Sequence, residues 1–145
     1  MLLLYKGALP TGELYARFEN LARERNAGAV SVFCGVVREE EGISALSFDI
    51  YEPLLRAWFE SWQAKAGELG AYVCMAHALG DVACGDSSYM CAIISSQRRA
   101  ALALYADFVE DFKANAPIWK YDVKEGKRIY ALERSKAIKG SGVLC

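Results

Sequence analysis

The sequence lacks the features that directly identify several classes of protein. No apolar run approaches the length of a membrane span, and the apolar N-terminus, Met1–Leu4, is too short for a signal peptide. The P-loop, G-x-G-x-x-G and G-x-S-x-G motifs are missing, which removes the main support for the enzyme classes that depend on them. We therefore expect a soluble, cytoplasmic protein outside those classes and not bound to a membrane.

Residues that bind metals are also scarce. The single histidine, His77, lies in an apolar segment with no further ligand spaced near it, and the five cysteines form no C-x-x-C pair. Four of the cysteines lie in apolar segments, where a free cysteine behaves as a small hydrophobic residue. The sequence thus predicts no metal site and no disulfide framework, and it predicts that His77 is a hydrogen-bonded structural residue.

Charge is distributed unevenly along the 145 residues. Residues 1–112 carry nine basic and fifteen acidic side chains, whereas residues 113–145 carry eight basic and three acidic ones. This basic C-terminal part indicates an anionic ligand or partner. The lysines and arginines are not clustered as in nucleic-acid-binding proteins and the pI is acidic, so we do not expect a nucleic-acid partner.

Hydrophobic periodicity predicts a single α+β domain over residues 1–135, followed by a flexible basic tail at 136–145. The order β-α-β-β-α-β-β-α-β-β favours a mainly antiparallel or mixed sheet with about three helices. Thr11 is a candidate N-cap of the first helix, and Gly35 indicates a bulge in the second strand. The predicted strands are Leu2–Tyr5, Ala29–Val37, Ile43–Tyr51, Ala71–Ala78, Tyr89–Ser95, 118–123 and Arg128–Leu132; the predicted helices run from Thr11 to about Arg25, from Pro53 to about Leu69, and from Arg98 to Phe112.

The segment Phe112–Lys120 carries the strongest chemical signal. Lys113 and Lys120 lie on either side of Pro117, and Trp119 directly precedes the second lysine. A lysine beside an aromatic ring, where a helix changes to extended chain, can be partly desolvated. Desolvation lowers the pKa of its amine towards the range useful for nucleophilic or acid–base catalysis. The alternative is two solvated lysines beside a tryptophan that packs in the core.

Two arginines extend this signal, because Arg38 and Arg98 both follow predicted strands. The planar guanidinium group suits bidentate contact with phosphate, and Arg98 also lies at a helix N-terminus, where backbone N–H groups attract anions. Either arginine could instead face solvent. If the fold brings both together with Lys113 and Lys120, the four side chains form an anion pocket.

These residues resemble the large, catalytic subunit family of molybdopterin synthase. The A-P-[IF]-W-K element with a lysine upstream, together with F-x-G-x-V-R, is specific, and the resemblance covers about residues 28–135. The matching segments are Gly28–Arg38, Tyr51–Pro53, His77–Asp81 with Gly85–Asp86, Ser95–Arg99 and Lys113–Lys120.

The resemblance implies an α/β-hammerhead type of fold and a sulfurtransferase activity. Members of this family convert cyclic pyranopterin monophosphate (precursor Z) into molybdopterin. The sulfur arrives as a thiocarboxylate at the C-terminus of a small ubiquitin-like carrier subunit, whose tail enters the pocket of the large subunit. Two large subunits form a central homodimer within a heterotetramer, and the scheme needs no metal or redox cofactor.

The resemblance also assigns roles to individual residues. Lys113 and Lys120 are the implied catalytic lysines, with Lys113 where the carrier tail arrives and Lys120 as the acid–base group. The implied substrate-binding residues are Arg38 and Arg98 for phosphate and pterin, Phe33 beside the tail channel, Asp122 as an orienting partner of Lys120, and Arg134 reaching the neighbouring subunit's pocket.

At Gln97 the sequence departs from the family, since many relatives have histidine before the arginine. Glutamine forms hydrogen bonds but does not titrate, so we predict that Gln97 binds substrate and does not carry a proton.

Two other functions stay open at this point. One is a non-catalytic module whose basic pocket holds an acidic peptide tail or a nucleotide, and the other is a sulfur carrier that uses the terminal thiol of Cys145.

Overall fold

The computed structural model describes residues 1–131, which form seven strands and three helices in the predicted order. Arg134, Cys145 and the predicted tail at 136–145 lie outside the described residues. The strands are β1 (Leu2–Lys6), β2 (Ala29–Val36), β3 (Ala45–Ile50), β4 (Ala71–Ala83), β5 (Ser87–Ser95), β6 (Ile118–Lys124) and β7 (Lys127–Tyr130); the helices are α1 (Thr11–Glu24), α2 (Glu52–Glu68) and α3 (Arg98–Asn115).

The seven strands form one sheet in the order β2-β5-β4-β3-β6-β7, with β1 paired to β4. The β1–β4 pairing is parallel and the other pairings are antiparallel. The predicted α+β class with a mixed sheet and about three helices is therefore confirmed. β4 is the organising strand, because it pairs with β1 and β5 along its first part and with β3 along its second part.

The side chains of β4 explain why its sequence is apolar almost throughout. Val73 and Met75 belong to a core cluster on one face of the sheet, which also contains residues of α2 and α3. Cys74 and Ala76 belong to a second cluster, which contains residues of α1. Side chains alternate between the two faces of a strand, so a strand covered on both faces must be apolar at every position.

The structure corrects the predicted cap of α1 and the predicted end of β4. α1 begins at Thr11 itself, its N-cap position is Pro10, and no side chain of the described residues caps it, so the predicted N-cap role of Thr11 is wrong. β4 continues to Ala83 instead of ending at Ala78, because its second part pairs with β3 from Ala45 to Phe48. Local periodicity could not show this pairing with a distant strand.

Other local predictions are confirmed. The register of β2 against β5 shifts between Gly35 and Val36, which is the predicted bulge. A Cβ atom added at Gly35 would lie 3.3 Å from the Cβ atom of Tyr89, which explains the need for glycine at this close approach. Pro53 lies in the first turn of α2, as expected. Within residues 1–131, the helices are too short or too polar to cross a lipid bilayer.

Candidate active site

A cavity of about 490 Å³ lies where the C-terminal end of α3 meets the sheet. It brings together four of the residues predicted from the sequence, namely Phe33, Arg38, Lys113 and Lys120. These residues come from two distant parts of the chain, around residues 33–38 and 113–120. The other residues of its wall that matter for the chemistry are Cys34, Glu40, Phe48, His77, Tyr89 and Phe112.

The turn at Pro117 directs both lysines to this cavity. α3 ends at Asn115, and the backbone then closes a short turn in which the Ile118 N–H donates to the Ala116 carbonyl at 2.8 Å. Proline terminates the helix because its ring cannot fit the preceding turn. The chain re-enters the sheet as β6, so Lys113 lies in the last turn of the helix and Lys120 on the adjoining strand.

The alternation of β6 explains the different surroundings of Trp119 and Lys120. Trp119 is 5% exposed and lies in the core, as one of the sequence interpretations expected, whereas Lys120 is half-buried and lines the cavity. Lys120 is paired in register with Phe48 of β3. The second lysine is therefore fixed on a strand beside an aromatic ring, which is a partly desolvated position.

Lys113 occupies a different kind of position, in the last turn of α3, where its side chain is exposed. The preceding residue, Phe112, stacks on Tyr89 with ring centroids 4.0 Å apart. A cation is favoured at a helix C-terminus because the free carbonyl groups carry partial negative charge. Lys113 is thus held at the rim of the cavity, while Lys120 forms part of its wall.

Arg38 lies at the mouth of the cavity, two residues after the end of β2. Its side chain is 83% exposed and forms an ion pair with Glu40 at 3.3 Å. Exposed ion pairs contribute little to stability, so this contact can be exchanged for an incoming anion at small cost. Together with the two lysines, Arg38 gives the cavity a cationic rim.

Aromatic side chains form the inner part of the cavity. Phe33 packs against Tyr89 with ring centroids 5.9 Å apart, and Phe48 meets His77 edge-on at 5.0 Å. His77 is 2% exposed, and its Nδ1 lies 2.8 Å from the Ala78 carbonyl oxygen. Burial lowers the pKa of His77 to about 4. The predicted hydrogen bond of this histidine is therefore confirmed, but its position in the cavity wall was not predicted.

The structure does not bring all the predicted site residues together within one chain. Gln97 and Arg98 are exposed at the N-terminus of α3 and are not among the residues that line the cavity. The helix rise of 1.5 Å per residue places Arg98 about 22 Å from Lys113 along the axis. Asp122 lies two residues after Lys120 on the same face of β6, outside the cavity lining, and Arg134 lies beyond the described residues.

Several cavity residues were missed by the sequence interpretation, including Phe48, Tyr89 and Glu40. Phe48 and Tyr89 had been placed only in strands, where alternation separates the two faces but does not show which face borders a cavity. The available signal was the close approach at Gly35, since its neighbour across the sheet is Tyr89.

A small α+β domain whose cationic rim surrounds an aromatic interior is suited to a planar, anionic ligand. Comparison with known proteins identifies the family to which this domain belongs. The MoaE protein family matches residues 11–115. A molybdopterin synthase catalytic subunit from Helicobacter pylori strain 26695 is 54% identical over 144 residues, which is 99% of each chain. One from Bacillus subtilis is 30% identical over 74% of this chain and 73% of its own length.

Solved structures agree with the sequence relatives. A chain from the protein–protein complex of subunits 1 and 2 of the molybdopterin-converting factor of Helicobacter pylori 26695 superposes with a TM-score of 0.94 at 53% identity, covering 99% of both chains. Molybdopterin synthase from Staphylococcus aureus shares the fold, with a TM-score of 0.75 at 22% identity over 88% of this chain and 94% of its own. The chain belongs to the MoaE protein family, and the predicted resemblance and catalytic-subunit role are confirmed at the level of that family.

Proposed function

We propose that this protein converts cyclic pyranopterin monophosphate into molybdopterin, using sulfur from the C-terminal thiocarboxylate of a small carrier subunit, in the cytoplasm. The observation that carries this proposal is the meeting of Lys113, Lys120, Arg38 and Phe33 in one cavity. Family membership supports the reaction, and the cavity supplies the cationic and aromatic groups that the substrate requires.

The side chains of the cavity supply the charges and the proton transfers that sulfur transfer to the pterin needs. The thiocarboxylate sulfur attacks a carbon of the pterin side chain, and a carbon–sulfur bond forms as the carbon–oxygen bond at that carbon breaks and the oxygen departs with its proton or phosphate. Hydrolysis of the acyl–sulfur bond then leaves a carboxylate on the carrier and a thiolate on the substrate. Arg38 stabilises the anionic groups at the rim. Lys120, half-buried beside Phe48, is placed to move protons, and Lys113 meets the arriving tail.

The exposed rim provides the entrance for the carrier. Arg38 and Lys113 are exposed at the mouth, and the half-buried Phe33 lines the cavity beside Tyr89. The similar chain from Helicobacter pylori was solved as a complex of two subunits, which supports a small-subunit partner for this chain as well. We assign this mouth as the route by which the carrier tail reaches the lysines.

Gln97 and Arg98 act on this cavity only if a second copy of the chain supplies them. They lie about 22 Å along α3 from Lys113, which is too far for either side chain to reach the same cavity. The proposed homodimer within a heterotetramer resolves this separation, because one subunit can present its helix N-terminus to the cavity of the other. Asp122 and Arg134 keep their proposed roles as an orienting residue and a residue from the neighbouring subunit.

Reconstitution tests the proposal directly. The full chain is mixed with a thiocarboxylated carrier and cyclic pyranopterin monophosphate, and dithiolene product is measured over time. Multiple turnovers are expected. Tight binding of the carrier tail without product would support the alternative of a non-catalytic peptide-binding module. The variant Cys145→Ser should retain nearly full activity, whereas its inactivity would favour the terminal-thiol carrier.

The same assay tests the proposed binding role of Gln97. Gln97→Ala should raise KM for the pterin substrate more than it lowers kcat, because the amide can form hydrogen bonds but cannot titrate. A loss confined to kcat would contradict a binding role. Arg99→Ala, an exposed neighbour on the same helix turn, serves as the matched surface control.

A further inference from the structure

The only histidine of the chain is built into the wall of the proposed active site. His77 lies on β4, paired with Leu4 of β1 and Tyr89 of β5, and its side chain lines the cavity. Its Nδ1 lies 2.8 Å from the Ala78 carbonyl oxygen. A carbonyl oxygen only accepts hydrogen bonds, so Nδ1 carries the proton and the neutral ring presents Nε2 as an acceptor.

This acceptor is not used by the protein itself. Within residues 1–131, the Ala78 carbonyl is the one hydrogen-bond partner of the His77 ring, although the residue is 2% exposed. Three aromatic rings surround it: Phe48 lies at 5.0 Å, Phe112 at 5.7 Å and Tyr89 at 5.9 Å between ring centroids, and none of them hydrogen-bonds to the imidazole. An acceptor on the wall of a cavity that has no hydrogen-bond partner among the described residues is available to a group that is supplied from outside the chain.

We propose that Nε2 of His77 accepts a hydrogen bond from a ring N–H or hydroxyl group of the pterin substrate and thereby sets the orientation of the ring in the cavity. The inference rests on the proposed function and adds a substrate-binding residue to it. Among the described residues that line the cavity, His77 is the one that carries a ring nitrogen, so its Nε2 is suited to distinguish one edge of a planar heterocycle from the other.

The distribution of charge in the cavity supports this orientation. Cationic side chains lie at the rim, where Arg38 and Lys113 are exposed, and the half-buried Lys120 lies on the β6 wall. The substrate carries its phosphate at one end and its N–H-rich ring at the other. With the phosphate at the cationic rim, the ring enters between the aromatic side chains and reaches His77. A volume of about 490 Å³ is within the range of small-molecule sites.

The imidazole must remain neutral for this role. Burial lowers the pKa of His77 to about 4, and the charged groups that share its cavity are Arg38, Glu40, Lys113 and Lys120. At neutral pH the ring is therefore an acceptor at Nε2 and a donor only at Nδ1. A charged imidazolium would donate at both nitrogens and would repel the N–H groups of the ligand.

Nitrogen NMR tests the inference on the unaltered protein, because selective ¹⁵N-histidine labelling reports one residue only. The free full-length chain should show the neutral Nδ1–H form at pH 7. Addition of cyclic pyranopterin monophosphate should shift the Nε2 resonance in the direction of an accepted hydrogen bond, while inorganic phosphate alone should not. An Nε2 resonance that stays unchanged at saturating substrate would overturn the proposal.

A pair of variants separates substrate contact from a structural role. His77→Asn keeps a side-chain N–H near the Ala78 carbonyl but removes the cavity acceptor, whereas His77→Gln places an amide oxygen near the position of Nε2. We expect His77→Asn to raise KM for the pterin about tenfold, which corresponds to the loss of one hydrogen bond. His77→Gln should have a KM close to that of wild type. Equal KM values in wild type and His77→Asn would refute the contact.

Failure of the sulfur transfer and failure of the His77 contact give different results. If the wild-type protein shows no turnover with a thiocarboxylated carrier, the proposed function fails, and the NMR titration still decides whether His77 contacts the pterin. If turnover is normal but the Nε2 resonance and the KM of His77→Asn are unchanged, the inference about His77 fails alone.

Discussion

The rings of Tyr89 and Phe112 stack almost face to face, with centroids 4.0 Å apart and an angle of 11° between their planes. Tyr89 belongs to β5 and Phe112 to the last turns of α3, so the stack fixes the end of the helix against the sheet. Lys113 directly follows Phe112 at the rim of the cavity. The position of one proposed catalytic amine thus depends on an aromatic contact in the core.

A second contact holds the same end of α3 against α2. Oδ2 of Asp111 accepts hydrogen bonds from the indole N–H groups of Trp58 at 2.7 Å and Trp62 at 2.6 Å, both on α2. Burial alone would raise the pKa of Asp111, but hydrogen bonds from Trp62, Asn115 and Trp58 bring it below its usual value. The carboxylate is therefore a stabilising link between α2 and α3.

We expect Asp111→Ala to lower the free energy of unfolding by about 3 kcal/mol, because two indole N–H groups lose a charged acceptor. Urea unfolding followed by tryptophan fluorescence measures the change. Asp111→Asn keeps one carbonyl acceptor and should lose only part of this stability. A loss in Asp111→Ala no larger than that of Asp107→Ala, an exposed acidic residue of the same helix, would contradict the proposed link.

Two glycines should respond in opposite ways to the same substitution. A Cβ atom at Gly28 would lie 2.6 Å from the backbone carbonyl oxygen of Ser96, whereas one at Gly12, inside α1, would meet no atom within 4 Å. Gly28→Ala should cost about 2 kcal/mol through overpacking. Gly12→Ala should stabilise by about 0.5–1 kcal/mol through helix propensity. Thermal unfolding distinguishes them, and equal melting temperatures would be inconsistent with this packing.

His77 makes the stability of the protein dependent on pH. The pKa of His77 in the folded protein is about 4, below the usual value of 6.5. Between these two pH values the imidazole is protonated in the unfolded chain and neutral in the folded one. Stability from this group is full above pH 6.5 and falls as the pH drops towards 4, by about 3 kcal/mol in total.

Chemical denaturation at pH 7 and pH 4 measures this term when wild type is compared with His77→Gln. Carboxylate titrations contribute to both proteins, so the difference between the two pH dependences isolates the imidazole. The loss of unfolding free energy on acidification should be smaller in His77→Gln. Parallel pH profiles for the two proteins would show that His77 does not titrate as a buried group.

The sequence predicted the order of the elements because each one carries a clear local pattern. It also predicted that Lys113, Lys120, Arg38 and Phe33 belong to one site, and the structure places all four in one cavity. That grouping rested on the resemblance to the family, because a local motif identifies each short stretch of chain but does not show that residues 33–38 and 113–120 meet.

Features that depend on distant pairing could not be predicted in this way. The second part of β4 extends past Ala78 because β3 pairs with it, and His77 borders the cavity because α3 ends beside it. Arg98 was grouped with the lysines on chemical grounds, but the length of α3 separates it from them within one chain. Such relations follow from how elements pack, which local periodicity does not contain.

The central claim is that the two lysines at the ends of the Pro117 turn carry the sulfur transfer. The direct measurement is single-turnover formation of dithiolene product from cyclic pyranopterin monophosphate and thiocarboxylated carrier, using wild type, Lys113→Ala, Lys120→Ala and the exposed control Lys6→Ala. We predict that each of the first two variants loses about 10²–10⁴-fold in rate while the carrier still binds, and that Lys6→Ala matches wild type. Wild-type rates in both cavity variants would contradict the account.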